Sequence, residues 1–124
     1  MPMNLMIVDN HEGFRSMIRR LIAAPGDTVV ECGSGDAALR AAAGFKPDCV
    51  TMDVNMPGMC AFETTRRIRT AYPPARVIFV SSHDQPSYRR AALEAGAAGY
   101  VMKDNLSELY LLVAAKRLVS SMKV

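Results

Sequence analysis

The sequence predicts an α/β protein: one five-stranded parallel sheet covered by helices on both faces. Three observations carry this. Short apolar runs and helical patterns alternate five times along the 124 residues. Two of the runs, Leu5-Met6-Ile7-Val8 and Val77-Ile78-Phe79-Val80, are apolar without a break, as expected for strands buried on both faces. Each of the first four runs is followed by a helical segment, and parallel strands need such crossover connections.

The elements follow in order. After the first strand, Phe14, Met17, Ile18, Leu21 and Ile22 form one helical stripe, and Pro25-Gly26-Asp27 breaks it. Residues 28–32 are β-branched and apolar, a second strand. Ala38, Ala41, Ala42 and Phe45 give the second helix, with Gly44 and Pro47 bracketing its end. Residues 49–52 make a third strand that ends at Asp53, and a third helix is expected over residues 62–70, stopped by Pro73-Pro74. The fourth strand is 77–80. Tyr88, Ala91, Ala92 and Ala95 mark the fourth helix, with Gly96 placed as its left-handed cap. Tyr100-Val101-Met102 is a short fifth strand, and Asp104 or Asn105 can cap a last helix over residues 106–120. That last helix carries two apolar stripes: Leu109, Leu112 and Val119, and Leu111, Ala114, Ala115, Leu118 and Met122. It is either deeply packed or a contact face for a second copy, a kinase or an attached output module.

Composition bounds the rest. The length fits a single domain over residues 1–124, and half the residues are apolar with 22% charged, which excludes global disorder. No apolar run is long enough to span a bilayer, and the N-terminus lacks a signal-peptide pattern. Cys32, Cys49 and Cys60 are odd in number and lack metal-ligand spacing, so reduced thiols in a cytoplasmic protein are expected. A formal charge of +3 is too small to argue for nucleic-acid binding.

In parallel sheets of this kind functional groups gather at the carboxyl ends of the strands. There the chain has Asp9 and Asn10, then Asp53 followed by Asn55, then Ser81 and Ser82, then Lys103. Oxygen donors from Asp9, Asn10, Asp53 and one backbone carbonyl suit a hard cation such as Mg²⁺. Neighbouring carboxylates repel unless a cation offsets them. A lysine can hold a phosphoryl oxygen, and a carboxylate can attack phosphorus. The set fits phosphoryl transfer to an aspartate.

Four segments carry a closer resemblance: residues 5–10 (LMIVDN), 52–59 (MDVNMPGM), 77–82 (VIFVSS) and 96–103 (GAAGYVMK). In this order and spacing they resemble the receiver domain of bacterial two-component response regulators, a flavodoxin-like (βα)5 fold, over essentially the whole chain. The resemblance implies that Asp53 accepts a phosphoryl group from a sensor histidine kinase, a phosphotransfer protein or a small donor such as acetyl phosphate. It implies that Asp9, Asn10, Asp53 and the backbone carbonyl of Asn55 surround Mg²⁺, and that Lys103 bridges to the phosphoryl group. Ser81 would then move inward and Tyr100 change rotamer, remodelling the face of helix four, strand five and helix five for a downstream output protein or attached output domain. Such a domain is a cytoplasmic signalling module more than a metabolic enzyme. With no helix-turn-helix segment in these residues, no direct DNA binding or membrane contact is expected, and a second copy is a further candidate partner.

Three departures stand out. Asn10 replaces a usual acidic residue, which removes one negative charge and predicts weaker metal binding; Asn10 also reads as a helix cap. Cys60-Ala61 replaces a common Asp-Gly, so the third helix is expected to start differently. Asp104 follows Lys103 where proline is common, a variant frequent in DNA-binding regulators. Two other classes stay open: a receiver-like interaction module indifferent to phosphorylation, and a flavin- or nucleotide-binding protein. For the latter, Gly33-Ser34-Gly35-Asp36-Ala37-Ala38 matches GxGxxA, a pattern that a plain turn and helix start also satisfies. Arg66, Arg67 and Arg69 read as a solvated helix face. His11 and His83 read as surface residues near the site, His83 being placed to tune water access to Asp53.

Overall fold

Strands and helices alternate throughout the computed structural model, which describes residues 2–122. The elements are β1 (Asn4–Val8), α1 (Glu12–Ile22), β2 (Thr28–Cys32), α2 (Gly35–Phe45), β3 (Cys49–Met52), α3 (Ala61–Ala71), β4 (Arg76–Ser81), α4 (Pro86–Glu94), β5 (Gly99–Met102) and α5 (Leu106–Ser121). The ends of the expected 1–124 unit, residue 1 and residues 123–124, lie outside the described residues. All strand pairs are parallel, in the order β2-β1-β3-β4-β5. The flavodoxin-like fold expected from the sequence is the fold observed. Chain winding reverses between β1 and β3, which makes their carboxyl ends the switch point where such sheets bind ligands.

The unbroken apolar runs have a direct cause. On one face Met6, Val8, Val50, Met52, Val77 and Phe79 pack with Ala38, Ala42, Ile68 and Ala92 of α2, α3 and α4. On the other, Leu5, Ile7, Ile78, Val80 and Val101 pack with Ile18, Ile22, Leu109 and Val113 of α1 and α5. Alternate residues of one strand therefore fill two separate cores. Phe79 stacks on Phe62 at 5.4 Å and on Tyr100 at 6.1 Å, linking the first core to the site edge.

Helix entries refine several sequence expectations. The Ser34 hydroxyl caps α2 by accepting from the Ala37 N–H at 3.1 Å. A methyl group on Gly35 would overlap the Thr64 hydroxyl, so this glycine exists for close packing of α2 on α3. The GxGxxA match is thus a turn and helix start. Cys60 caps α3, its sulfur accepting from the Glu63 N–H at 3.4 Å. The left-handed residue of that loop is Gly58 (φ 80°), so Cys60 and Ala61 enter the helix without needing a glycine. Gly96 has φ 100°, as its capping position demands. Asn105 occupies the cap position of α5 but makes no capping bond; it pairs with Glu108 and Ser107 instead. In α5 only part of the apolar surface packs down. Leu109 and Val113 are buried, while Leu111, Leu118, Val119 and Met122 are exposed. The expected Leu109–Leu112–Val119 stripe is therefore split: Leu109 is buried with Val113, which neither stripe included, Leu112 is half-buried and Val119 is exposed, while Leu111 and Leu118 of the second stripe face outward.

Arg117 of α5 clamps the turn before β2 with two bonds to Asp27, Nη1 to Oδ1 at 2.8 Å and Nη2 to Oδ2 at 2.7 Å. Asp27 also accepts from the Met3 and Ala24 N–H groups. The Arg117 bond, helped by those backbone donors and opposed by burial, lowers the Asp27 carboxyl to about 2.

Two measurements follow from this packing. Gly35→Ala lowers unfolding free energy by about 1–3 kcal/mol, because the added methyl overpacks the α2–α3 contact; urea titration reads it, with Gly44→Ala, in open space, as the control. Asp27 is a depressed carboxylate, so its stabilising contribution is complete above its unfolded value near 3.8 and is lost as pH falls toward about 2. In acid titrations Arg117→Ala is destabilised at neutral pH by roughly 3 kcal/mol and loses much of the wild-type slope across that window.

Candidate functional site

The site residues stand one step beyond the strands, held by backbone bonds that continue the sheet. The Asp9 N–H donates to the Cys32 carbonyl at 3.0 Å, Asp53 to Val8 at 3.0 Å, and Lys103 to Ser81 at 2.8 Å. Val8 pairs in register with Met52, so Asp9 and Asp53 emerge side by side on neighbouring strands. Both are buried, at 1% and 3% exposure.

Two buried carboxylates at this separation need a counter-charge. Lys103 reaches in from β5 with Nζ 3.3 Å from Asp53 Oδ1 and 3.5 Å from Asp9 Oδ2. Its ammonium also lies 4.4 Å from the centre of the Phe14 ring, a cation–π contact that fixes the head group. Burial pushes the Asp53 carboxyl above its ordinary range and the Asp9 charge adds to this, while Lys103 pulls it back. Arg15 steadies the other side, with Nη1 donating to the Asp9 carbonyl at 2.6 Å and Nε to Glu31 at 3.1 Å.

Asp53 Oδ2 is buried without a hydrogen-bond partner. Asp9, His11 and Asp53 each offer one ligand atom, and those atoms lie within 4.8 Å of one another. An orphaned carboxylate oxygen beside a second carboxylate is a fitting donor set for a divalent cation. Asn10 is exposed, as is His11, and Asn10 makes none of the hydrogen bonds described around this edge. It is not the cap of α1 either: that position is His11, whose N–H donates to Asp9 Oδ1 at 2.8 Å. The capping reading of Asn10 is therefore overturned, because α1 begins at Glu12 and the extended residue before it is His11.

Around the edge, Ser81 is fully buried and its hydroxyl accepts from the His83 N–H at 2.9 Å. The Tyr100 hydroxyl donates to the His83 carbonyl at 2.5 Å. His83 stacks on Tyr88 at 4.6 Å, and its Nε2 lies 3.0 Å from the Asn55 amide nitrogen and 3.2 Å from its oxygen. Arg89 of α4 lies over the Tyr100 ring at 4.9 Å. The fold thus gathers Asp9, Asp53 and Lys103 in direct contact, with Ser81, Tyr100 and Asn55 linked through His83. Sequence reasoning missed the roles of His11, Phe14 and Arg15. Their only signal was position in the first turns after β1, where any side chain on the right face meets the sheet edge.

The model of the family described as "Response regulator receiver domain" matches residues 5–114. The chain is 36% identical over 102 residues to the transcriptional regulatory protein DegU of Brevibacillus brevis, covering 81% of this chain and 43% of that protein. It is 35% identical over 107 residues to the nitrate/nitrite response regulator protein NarL of Escherichia coli strain K12, covering 83% and 49%. Among solved structures, the signal receiver domain of the putative response regulator NarL from Mycobacterium tuberculosis superposes with a TM-score of 0.81 at 31% identity, covering 92% of this chain and 94% of that one. The chain spans about half the length of the curated relatives it matches. A family match over most of the chain, on a fold whose switch point holds two carboxylates and a lysine, shows that this chain belongs to the response regulator receiver domains, the phosphoacceptor modules of two-component signalling.

Proposed function

We propose that Asp53 is the phosphoacceptor. The observation that carries this is the Asp53 carboxylate itself: buried, raised by burial and by Asp9, held by Lys103 through one oxygen and left with the other unpartnered. An Asp53 oxygen attacks the donor phosphorus; an O–P bond forms and the donor's bond to phosphorus breaks, its electron pair leaving with the donor group. Asp9 and Asp53, with the Asn55 carbonyl, would hold Mg²⁺, which supplies positive charge to the phosphoryl oxygens; Asn10 stands at the rim. Lys103 stays in reach of the oxygens of the modified side chain. In hydrolysis a water attacks phosphorus, the Asp53 O–P bond breaks, and the carboxylate and inorganic phosphate are restored.

The switch reading uses the bonds around His83. A Ser81 side chain that changes rotamer to donate to a phosphoryl oxygen gives up the His83 N–H, and the same residue's carbonyl holds Tyr100. Moving Ser81 therefore loosens the β4–α4 loop and frees Tyr100 to turn between Phe79 and Arg89. This would carry the state of Asp53 to the α4–β5–α5 face.

The partners follow by class. A sensor histidine kinase or phosphotransfer protein donates the phosphoryl group, and an output domain or protein reads the altered face; relatives named as transcriptional regulatory proteins support this. No helix among the described residues is long and apolar enough to cross a membrane. We infer a cytoplasmic signalling module that acts on its own phosphorylation rather than on a metabolite.

Intact mass before and after incubation with Mg²⁺ and acetyl phosphate tests the central reading. One phosphoryl mass is gained by the natural chain and none by Asp53→Ala; a folded chain that gains nothing favours the phosphorylation-independent module, and a gain that persists in Asp53→Ala moves the acceptor elsewhere. Lys103→Ala lowers the phosphorylation rate by about 10²-fold, the usual range for one group aimed at developing charge. Ser81→Ala still gains the phosphoryl mass, but hydrogen exchange in β5 and α4 no longer responds to phosphorylation. An unchanged response in Ser81→Ala would remove Ser81 from the switch.

A further inference from the structure

We propose that His11 is a ligand of the cation in this site, and that the resulting nitrogen–oxygen donor set favours a borderline transition ion over Mg²⁺. The proposal rests on the reading of the Asp9–Asp53 edge as the cation site of a receiver. It goes beyond that reading by naming a ligand that neither the family resemblance nor the sequence motifs supplied.

The geometry is specific. His11 has extended backbone (φ −102°, ψ 110°) and so stands outside the helical turn that follows it. Its N–H is tied to Asp9 Oδ1, which fixes the start of the side chain over the carboxylate. The ring then presents Nδ1 at 3.3 Å from the same oxygen. Ligand atoms of Asp9, His11 and Asp53 fall within 4.8 Å of one another. Donors on one ion with bonds of about 2.1 Å lie up to about 4.2 Å apart, so the three atoms stand close to ligating separation without an ion between them. The independent sign that a ligand belongs there is Asp53 Oδ2, a buried oxygen with no partner beside this cluster.

Charge and chemistry agree with the geometry. Asn10 supplies an amide where a third carboxylate would favour a hard ion, and it is exposed. Mg²⁺ prefers oxygen donors and octahedral geometry. An imidazole nitrogen instead raises affinity along the series from Mn²⁺ through Co²⁺ and Ni²⁺. Replacing an acidic residue by an amide while bringing an imidazole to the edge shifts the site toward that series. The bland alternative is that His11 only hydrogen-bonds Asp9 and never meets an ion.

Titration of the full chain with Co²⁺, followed by visible absorption and by calorimetry, and with Mg²⁺ by calorimetry, separates the two. The expected result is Co²⁺ binding at least about tenfold tighter than Mg²⁺. His11→Ala, an exposed position that leaves the fold intact, lowers Co²⁺ affinity by about tenfold or more and leaves Mg²⁺ affinity within about twofold. Asp53→Asn weakens both ions, and His83→Ala weakens neither. Co²⁺ affinity unchanged in His11→Ala overturns the proposal. So does Co²⁺ binding that His11→Ala abolishes but Asp53→Asn retains, since that is a surface histidine acting alone. His11-dependent Co²⁺ binding in a chain that never gains a phosphoryl mass supports this assignment and counts only against the phosphoacceptor reading.

Discussion

Two carboxylates buried side by side on parallel strands are the constraint from which the rest of this molecule follows. Asp9 and Asp53 occupy adjacent strand ends because Val8 and Met52 share a register, and neither can turn out to solvent. Their repulsion is tolerated because Lys103 arrives from β5, at the far edge of the sheet, with its ammonium between them. That reach demands a sheet order in which β4 and β5 lie beyond β3. It also demands a platform under the lysine, which Phe14 provides from α1. The two cores on either side of the sheet therefore hold charged groups at a fixed spacing as well as stabilising the chain.

The same economy links the site to a distant face. Ser81 and Tyr100 never touch each other in the bonds described, yet both are held by the main chain of His83. Hydrogen bonds of this type contribute about 1 kcal/mol each, small against the charge redistribution that phosphorylation brings to Asp53. A weak tether between a strong event and a movable ring is what a two-state element requires. Arg89 on the outer side of Tyr100 and Phe79 on its inner side give the ring two favourable neighbours in its present position.

Much of this was legible in the sequence, for physical reasons. Strands buried on both faces leave continuous apolar runs, so β1 and β4 could be read directly, and the residues after them were the natural place to seek chemistry. Asp9, Asp53 and Lys103 converge as the spacing implied. What the sequence hid depends on dihedral angles and side-chain direction. Whether Asn10 or His11 stands at the cap of α1 turns on one residue of helix phase, and in the structure it is His11 whose ring lies beside Asp9. Cysteine is not a favoured cap, so the role of Cys60 was hidden, as was the contact of Gly35 with Thr64. In α5 apolar residues nearly surround the axis, which left its buried side undetermined until Leu109 and Val113 were seen packed against the sheet.

The three thiols differ in a way that has a practical consequence. Burial raises Cys32, and raises Cys49 to about 11, so both are closed to ordinary thiol chemistry. Cys60 is exposed and stands at the head of α3, in the loop that follows Asp53. The chain has no tryptophan and therefore no intrinsic indole signal. Cys60 gives it a native attachment point for a nitroxide or fluorophore, with no engineering of the sequence. A label there would report on the loop that joins Asp53 to α3, while the folded core keeps its own thiols out of reach.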